Sequence, residues 1–286
     1  MTNTLSQPSA TGALYLVATP IGNLSDISAR AASTLRDVDF IAAEDTRVTQ
    51  KLLGHLQIKK PLISYYEHNK RLCGEKVVRR LLSGESCALV TDAGTPGISD
   101  PGEDLVRLCV EENIPISVIP GPCAAVSALS LSGFSSARFT FEGFLPAEKK
   151  KRLLLLNELQ AETRTMIFYE APHKLMRTLT DMLNVFGDRR ISVSREMTKI
   201  YEETLRLTLS EAIKLFEDKK PRGEFVLVLE GAALESDAKN CLDDAVCAAT
   251  AYLEYGLSVR DAVKKAADET GCSRNLLYKK MLQISG

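Results

Sequence analysis

Acidic and small residues cluster where an apolar segment of the chain ends. The stretch LVTDAGTPGISDPGEDL, residues 89–105, carries Asp92 and Asp100 among glycines and prolines. Carboxylates at such a position can hold polar groups of a ligand, and glycines let the backbone approach the ligand closely. The alternative is a tight turn in which Asp100 and Pro101 cap the helix that follows.

Three further stretches have the same character. ATPIGNLSD, AEDTR and PGPCAA each follow an apolar run. A packing explanation has to apply at every one of these loops, whereas one ligand site beyond the carboxyl ends of neighbouring strands accounts for all of them. None reads GxGxxG or GxxxxGK[ST], so the sequence favours a nucleoside-like ligand without a polyphosphate.

No metal site is predicted. The histidines His55, His68 and His173 are scattered, and the sequence has no closely spaced pair of His or Cys residues. The site is therefore expected to work through backbone groups, carboxylates and small residues alone.

The segments between these loops predict an α/β fold. Short apolar runs that read as strands are residues 14–18, 40–43, 62–65, 87–91 and 116–119. Helical patterns lie between them at residues 28–35, 48–53, 75–82 and 103–112. Fully apolar strands joined by crossover helices predict a parallel sheet with both faces covered.

The pattern changes after Pro120. A helix of small residues is predicted at 123–131, and strands are predicted at 165–169, 191–195, 203–208 and 225–229. Several of these strands alternate polar and apolar residues, which is typical of a mixed sheet. We therefore expect a flexible terminus at 1–11, an N-terminal α/β domain at 12–119, a second α/β domain at 120–232, and a linker with a helical segment at 233–286.

The last segment is predicted to resemble a helix-turn-helix. GAALESDAKN, residues 231–240, reads as a linker, and residues 258–282 read as two helices around a Thr-Gly-Cys turn with a Ser273 cap. Possible phosphate contacts are Arg260, Lys264, Lys265, Arg274, Lys279 and Lys280. The alternative is a pair of amphipathic helices with solvated charges.

Composition limits the classes of function. The 286 residues are 45% apolar and 26% charged, as in ordinary globular proteins, and the net charge of −1 gives no global field that attracts nucleic acid. RNA contacts must then use local basic patches. Seven cysteines without a CxxC pair favour a reducing cytoplasm, and no signal peptide or membrane span is predicted.

Seven ordered motifs resemble the tetrapyrrole-methylase-like superfamily and, within it, a family of small-subunit ribosomal RNA methyltransferases. The motifs span residues 14–230 and read LYLVATPIGNLSD, FIAAEDTR, LVTDAGTPGISDPG, VIPGPCAA, FEGFLP, FYEAPHKL and RGEFVLVL. The resemblance implies two α/β domains with S-adenosylmethionine in the cleft between them, and a homodimer. It also implies 2′-O-ribose methylation of a cytidine in the decoding region of 16S ribosomal RNA, with an assembled 30S particle as the expected partner.

The resemblance further implies which residues border the cofactor. By motif these are Pro20, Asp92, Ala93, Gly94, Ile98, Cys123, Ala124, Tyr169, Glu170 and Met197. Two motifs depart from the superfamily pattern: its glycine-rich GxGPG loop is here TPIGN, and its Gly-Gly-Asp is here Asp-Ala-Gly. The part of the cofactor that Asp92 meets is therefore left open.

Methylation of a ribose hydroxyl requires an aligned acceptor oxygen and a proton acceptor. Asp45 and His68 are the predicted catalytic residues, with Asp100 and Glu170 as alternatives. Each also has a structural interpretation: Asp45 and Asp100 as helix caps, His68 as a surface residue, and Glu170 as a hydrogen-bond acceptor beside the cofactor.

RNA is expected to meet polar and basic residues near this site. Asn23, Arg47 and Arg195 are the predicted substrate contacts. Lys199 and the basic run AEKKKR, residues 147–152, are further candidates for holding phosphates. For the basic run, the solvated first turn of a helix is an equal alternative.

Two other functions stay open at this level. A tetrapyrrole (precorrin-type) small-molecule methyltransferase would share the fold, but it gives no reason for the basic C-terminal helices. A nucleic-acid-binding adaptor would use the α/β body as a scaffold, which leaves the ligand-type loops without a purpose.

Overall fold

The computed structural model describes residues 11–218, 221–233 and 235–284. The predicted flexible terminus lies outside these residues except for Thr11. Contacts divide the chain into two units: the first comprises the described residues up to Glu158 together with Thr165–Glu230, and the second comprises Leu159–Arg164 and the described residues from Gly231 onward. Within the described residues, no helix has the length and apolar character to cross a membrane.

The first unit begins with a five-stranded parallel sheet, which confirms the predicted architecture. Its strands, in the spatial order β3-β2-β4-β1-β5, are β1 (Leu14–Val17), β2 (Phe40–Ala43), β3 (Leu62–Ser64), β4 (Cys87–Val90) and β5 (Ile116–Ile119). The crossover helices are α1 (Ala29–Asp37), α2 (Thr46–His55), α3 (Lys70–Leu82) and α4 (Gly102–Glu111).

Helices cover both faces of this sheet. Consecutive strand residues point to opposite faces, so each strand contributes side chains to both layers. Leu14 and Leu89 pack on one face with residues of α3 and α4. Val17 and Val90 pack on the other face with residues of α1 and α2. The strands are consequently mostly apolar, with Ser64 at the end of β3 and Ser117 in β5 as exceptions, and the acidic side chains of this region begin where the strands end.

The second sheet is mixed, also as predicted. Its order is β6-β7-β10-β8-β9, with β6 parallel to β7 and the remaining pairs antiparallel. The strands are β6 (Phe139–Phe144), β7 (Thr165–Glu170), β8 (Arg190–Arg195), β9 (Glu203–Thr208) and β10 (Phe225–Leu229). The helices of this part are α5 (Ala124–Ser132), α6 (Lys149–Glu158), α7 (Leu175–Phe186) and α8 (Leu209–Asp218).

The first sheet ends at Ile119, and α5 packs its small residues on the second sheet. Contacts nevertheless group both sheets into one unit. The division into domains at residues 119 and 120 therefore stays a prediction.

The second unit contains three helices: α9 (Glu235–Glu254), α10 (Val259–Thr270) and α11 (Arg274–Ile284). The prediction of a linker is wrong for residues 235–240, since α9 already begins at Glu235. Glu, Ala and Lys in this stretch are good helix formers even without an apolar period. A core of small and apolar side chains, including Ala245, Ala266 and Leu277, joins the three helices.

Candidate active site

A cleft of about 420 Å³ lies in the first unit, lined by residues at the carboxyl ends of strands in both sheets and at the start of β10. This volume is within the range of sites that enclose small ligands. Predicted site residues that line it are Asp92, Ala93, Gly94, Ile98, Asp100, Cys123, Ala124, Tyr169, Glu170 and Met197. The strand-end loops that sequence analysis selected thus meet at one place.

Other predicted residues do not line this cleft. They are Pro20, Asn23, Asp45, Arg47, His68 and Arg195. Pro20 directly precedes a lining residue, Ile21, and Asp45 directly follows another, Glu44. The roles predicted for these six residues stay predictions.

Sequence reasoning missed about half of the lining. The missed residues are Ile21, Glu44, Thr91, Thr95, Ser99, Phe144, Ala171, Glu196, Glu224, Phe225 and Val226, whereas Lys199, a predicted phosphate contact, also lines the cleft. Most of them lie within or directly beside the recognised motifs: Glu44 in AEDTR, Phe144 in FEGFLP and Phe225 in RGEFVLVL. Treating the other polar and aromatic residues of each motif as site candidates would have found most of them.

The loops after β1 and β4 are joined by backbone hydrogen bonds. Thr19 and Gly94 form an antiparallel bridge with N–H···O distances of 2.9 and 3.1 Å. The Thr19 hydroxyl donates to the Thr91 carbonyl at 3.2 Å. Gly94 has a φ of +89°, which an L-side chain rarely adopts, and a Cβ atom there would lie 3.5 Å from the Ile21 side chain.

Carboxylates form one wall of the cleft. The Thr91 hydroxyl donates to Glu44 Oε2 at 2.6 Å, and the N–H of Asp92 donates to the same oxygen at 3.4 Å. Burial raises the pKa of Asp92, and the negative charges of Glu44 and Asp45 add to this effect. The cleft is therefore an environment in which a cationic ligand relieves carboxylate repulsion.

Asp100 holds the glycine-rich loop together. Its carboxylate accepts hydrogen bonds from the N–H groups of Gly97 and Gly102, at 2.9 and 2.7 Å. Burial raises the pKa of Asp100 even though these two bonds favour the charged form. Ser99 precedes it with a φ of +63°, and such strained non-glycine backbone is frequent at ligand sites.

Asp45 is the N-cap of α2. Its carboxylate accepts from the Arg47 N–H at 2.8 Å and pairs with the Arg47 guanidinium at 2.6 Å. These hydrogen bonds lower the pKa of Asp45 to about 2. The backbone N–H of Asp45 donates to Asp92 Oδ1 at 3.0 Å, so Asp45 is linked to the cleft through its main chain.

His68 and Asn23 lie on exposed turns, and Arg195 is partly exposed at the end of β8. His68 is exposed and contacts Tyr66 edge to face, with 6.2 Å between the ring centroids. Asn23 caps a single 3₁₀ turn by accepting from the Ser25 N–H at 3.0 Å. Arg195 donates to Glu203 at 2.6 Å, so an RNA phosphate there would have to compete with this carboxylate.

Aromatic side chains form a second wall. Tyr169 packs against Phe141 and Phe144, with ring centroids 5.0 and 5.5 Å away. Burial raises the pKa of Tyr169 to about 12, so its phenol stays protonated. The aromatic rings of this wall suit an aromatic base.

Glu170 is buried, and its carboxylate accepts hydrogen bonds from nearby residues. One carboxylate oxygen accepts from the Ala171 N–H at 2.8 Å, and the other accepts from the Thr178 hydroxyl at 2.5 Å. These bonds fix the turn between β7 and α7. This placement favours the structural interpretation of Glu170 over a catalytic one.

Met197 reaches the cleft from a strained loop. Its neighbours Glu196 and Thr198 have φ values of +50° and +65°. Lys199 pairs with Glu196 at 3.0 Å, and Gly223 lies so close that a Cβ atom there would be 2.3 Å from the Glu196 carboxylate. Gly223 therefore lets Glu196 pack against the RGEF motif.

The basic run at the start of α6 does not act as a unit. Arg152 is 4% exposed and pairs with Asp181 at 2.7 Å. It also donates to the carbonyls of Pro146 and Ala147. The prediction that the whole run holds phosphates is therefore wrong for Arg152, whereas Lys149, Lys150 and Lys151 are exposed.

Comparisons with known proteins agree with these features. Residues 13–213 match the family model described as Tetrapyrrole (Corrin/Porphyrin) Methylases. A relative from Synechocystis sp., named ribosomal RNA small subunit methyltransferase I, is 46% identical over 274 residues, covering 96% of this chain and 98% of the relative. One of the same name from Thermotoga maritima is 49% identical over 220 residues, covering 77% of this chain and 99% of the relative.

A solved structure supports the fold. The crystal structure of uroporphyrin-III-C-methyltransferase from Thermus thermophilus aligns with a TM-score of 0.56 at 18% identity, covering 77% of this chain and 94% of that one. At an identity this low, the alignment supports the architecture but gives no information about the substrate. On the family match and the close relatives together, the chain belongs to the tetrapyrrole methylase family, in the branch whose members are named ribosomal RNA small subunit methyltransferase I.

Proposed function

We propose that this protein transfers a methyl group from S-adenosylmethionine to the ribose 2′-oxygen of a cytidine in the decoding region of small-subunit ribosomal RNA. S-adenosylmethionine is the methyl donor of the family. Ribosomal RNA as substrate is supported by the name of relatives that match nearly the full length of this chain. The cleft lined by both carboxylates and aromatic side chains is the observation that carries the proposal.

The residues of the cleft fit this cofactor. S-adenosylmethionine carries a positive sulfonium and ammonium, and Glu44, Asp92 and Asp100 supply negative charge on one side. Its adenine suits the apolar surface around Tyr169, and Met197 is buried nearby. Gly94 leaves the backbone open where a side chain would project into the loop. We infer that these residues hold the cofactor.

When bound, the cofactor supplies an electrophilic methyl group to an in-line displacement. The task of the chain is to align the acceptor oxygen and to exclude water, which gains rate through proximity and orientation. Loops held by the Thr19–Gly94 bridge and by Asp100 can keep that alignment because they are fixed by hydrogen bonds before any ligand arrives.

A proton must also leave the ribose hydroxyl. We infer that Asp45 and His68 act at the substrate side, Asp45 by fixing Arg47 for a phosphate. A carboxylate with a pKa of about 2 is a weak base, so proton transfer by Asp45 itself is the less effective role. Among the cleft carboxylates, burial makes Asp92 and Asp100 stronger bases than an ordinary aspartate.

The partner and setting follow from the same proposal. An assembled 30S particle in the cytoplasm is the expected substrate, with Asn23, Arg47 and Arg195 as contacts and a homodimer as the working form. Both arginines already bind carboxylates. Phosphate binding would then take the form of an exchange of partners within an existing charge pair.

Tetrapyrrole methylation is the alternative substrate class. The likeness to uroporphyrin-III-C-methyltransferase is one of fold, at 18% identity, whereas relatives above 45% identity carry the ribosomal RNA name. A nucleic-acid adaptor without an enzymatic site gives no reason for the cleft. The RNA methyltransferase is therefore the function that the observations support best.

The decisive experiment supplies methyl-labelled S-adenosylmethionine with 30S particles, protein-free ribosomal RNA and a uroporphyrinogen. We expect label in the 30S arm. A 2′-O-methyl group blocks alkaline cleavage of the adjoining phosphodiester, so mass spectrometry after alkaline hydrolysis should show a methylated dinucleotide. Label on a base, or on the tetrapyrrole alone, would overturn the proposal.

A further inference from the structure

Helix α11 of the second unit presents a cationic surface. Leu277 and Met281, one turn apart, are buried in the core of this unit. Tyr278, Lys279 and Lys280 are exposed on the other sides of the helix. The sequence of α11, RNLLYKKMLQI, contains no Asp or Glu, so no acidic side chain of the helix itself offsets these charges.

Two other basic residues of the unit, Arg274 and Lys265, are engaged within it. Arg274 pairs with Asp268 at 2.5 Å, which joins α11 to α10. The Lys265 ammonium lies 4.4 Å from the centre of the Tyr252 ring. These contacts tie α10, its neighbour α9 and the start of α11 together, which holds the exposed lysines of α11 on a fixed frame.

The connection between α10 and α11 also fixes the presentation of this surface. Gly271 follows α10 with a φ of +71°, and its N–H closes the helix on the Ala267 carbonyl. Small buried residues, Ala262 and Ala266, let the helices approach closely. The arrangement is that of a helix-turn-helix whose second helix faces outward.

A shorter relative has room for only part of this chain. The Thermotoga maritima relative is matched over 99% of its own length by 220 residues of this chain. A protein of that length has no room for counterparts of both units. The name of the relative indicates that a chain about as long as the first unit suffices for methyl transfer, so the second unit is available for another task.

We propose that α11 binds the phosphate backbone of duplex RNA in the substrate through Lys279 and Lys280, with Tyr278 beside them; this rests on RNA being the substrate. The chain has a net charge of −1, so affinity for a polyanion must come from a local surface such as this one. The major groove of A-form RNA is too deep and narrow for side chains to read. Binding is therefore through phosphates, independent of sequence and dependent on salt.

The test compares full-length Lys279→Ala/Lys280→Ala protein with the wild type and with a charge-matched control, Lys59→Ala/Lys76→Ala, in the first unit. The probe is a fluorescent RNA duplex of about 20 base pairs with arbitrary sequence, titrated at several salt concentrations. We expect the α11 variant to bind about tenfold more weakly at low salt, with the slope of log affinity against log salt reduced by about 2. The control should keep the wild-type slope.

Further measurements separate the outcomes. Unchanged duplex affinity of the α11 variant would overturn the proposal, as would a lower melting temperature or dissociation of an oligomer, because the helix would then be a structural element. Loss of binding to 30S particles with unchanged binding to duplex RNA would assign the surface to an acidic protein partner instead. Methyl transfer to 30S particles is measured separately, so a failure of the proposed function is visible even where duplex binding behaves as expected.

Discussion

The backbone N–H of Ala125, in the first turn of α5, donates a hydrogen bond to the phenol oxygen of Tyr169 at 3.1 Å. The bond joins the end of β7 to the helix that follows β5, and both residues flank the cleft. Tyr169 therefore has two functions in the structure: its ring forms the aromatic wall, and its oxygen satisfies a buried helix-start donor.

Replacement of Tyr169 by Phe removes the oxygen and keeps the ring. We expect the free energy of unfolding to fall by about 1–2 kcal/mol, because a buried N–H loses its acceptor. Affinity for S-adenosylmethionine should fall only severalfold, since the apolar wall remains. Urea titration and calorimetry measure the two effects. Tyr66→Phe, at an exposed tyrosine, is the control, and equal stability of both variants would contradict the assigned bond.

Gly94→Val should block cofactor binding. The substitution places a branched side chain at a φ of +89°, beside Ile21 and the Pro122 carbonyl, where the loop leaves space for the ligand. We expect affinity to fall by about tenfold or more, a change of at least about 1.4 kcal/mol. Gly133→Val carries a comparable backbone penalty at a φ of +78° outside the cleft. Calorimetry that finds wild-type affinity in folded Gly94→Val protein would exclude this view of the loop.

Asp45→Asn and His68→Ala test the substrate-side residues. Asparagine keeps the N-cap of α2 but loses the charge that holds Arg47. We expect both variants to bind S-adenosylmethionine within about twofold of the wild type and to lose about tenfold or more in single-turnover methyl transfer. Asp37→Asn is the control. Wild-type rates in both variants would move the role to Asp92, Asp100 or Glu170.

Asp92→Asn should stabilise the protein and impair binding. The amide oxygen can still accept from the Asp45 N–H, while a carboxylate whose pKa is raised by burial is removed. An aspartate with a raised pKa in the folded state costs stability above its ordinary pKa, so the gain should grow as the pH rises above about 4 and vanish below it. Thermal melts across this range measure it.

Asp39→Asn provides the opposite case. Hydrogen bonds from Ser86 lower the pKa of Asp39, so loss of this carboxylate should destabilise the protein at pH 7 and have less effect as pH falls through the lowered pKa. The same sign for both variants would refute the assigned environments. Calorimetry on Asp92→Asn should also show weaker S-adenosylmethionine binding, because the acidic wall has lost a charge.

Arg152→Met should destabilise the fold without a direct effect on RNA. The change leaves Asp181 buried without its cation, which typically costs about 3–5 kcal/mol. Lys151→Met, next to it and exposed, should alter the free energy of unfolding by less than about 0.5 kcal/mol. Urea denaturation compares the two. Wild-type stability of Arg152→Met would show that the buried pair contributes little.

Much of the fold was predictable because it depends on local patterns. The strands β2, β5, β9 and β10 have the predicted bounds, since apolar runs and flanking turns specify them. Strand β6 was not predicted: it contains Gly143, and its register with β7 shifts between Phe141 and Gly143. A glycine inside a strand weakens the local signal, and the sheet stabilises it through pairing instead.

The site was predictable where chemistry lies at strand ends and less so where it depends on tertiary contacts. Glycine and carboxylate patterns identified the loop that carries Asp92 and Gly94. The burial of Arg152 could not be read from a basic run, because Asp181 is distant in sequence. The environment of Asp45 was easier to predict from the sequence, since Arg47 follows it by two residues and the N-cap was one of the interpretations given for Asp45.

The bridge between Thr19 and Gly94 has a consequence for how a ligand is received. Each residue donates to and accepts from the other, so neither loop can open unless both bonds break. The entropy of ordering these two loops is then lost when the protein folds and not when the ligand arrives, which favours tight binding. The amides of Thr19 and Gly94 should accordingly exchange with solvent at matching rates in the unliganded protein, and their protection should change little when the cleft is filled.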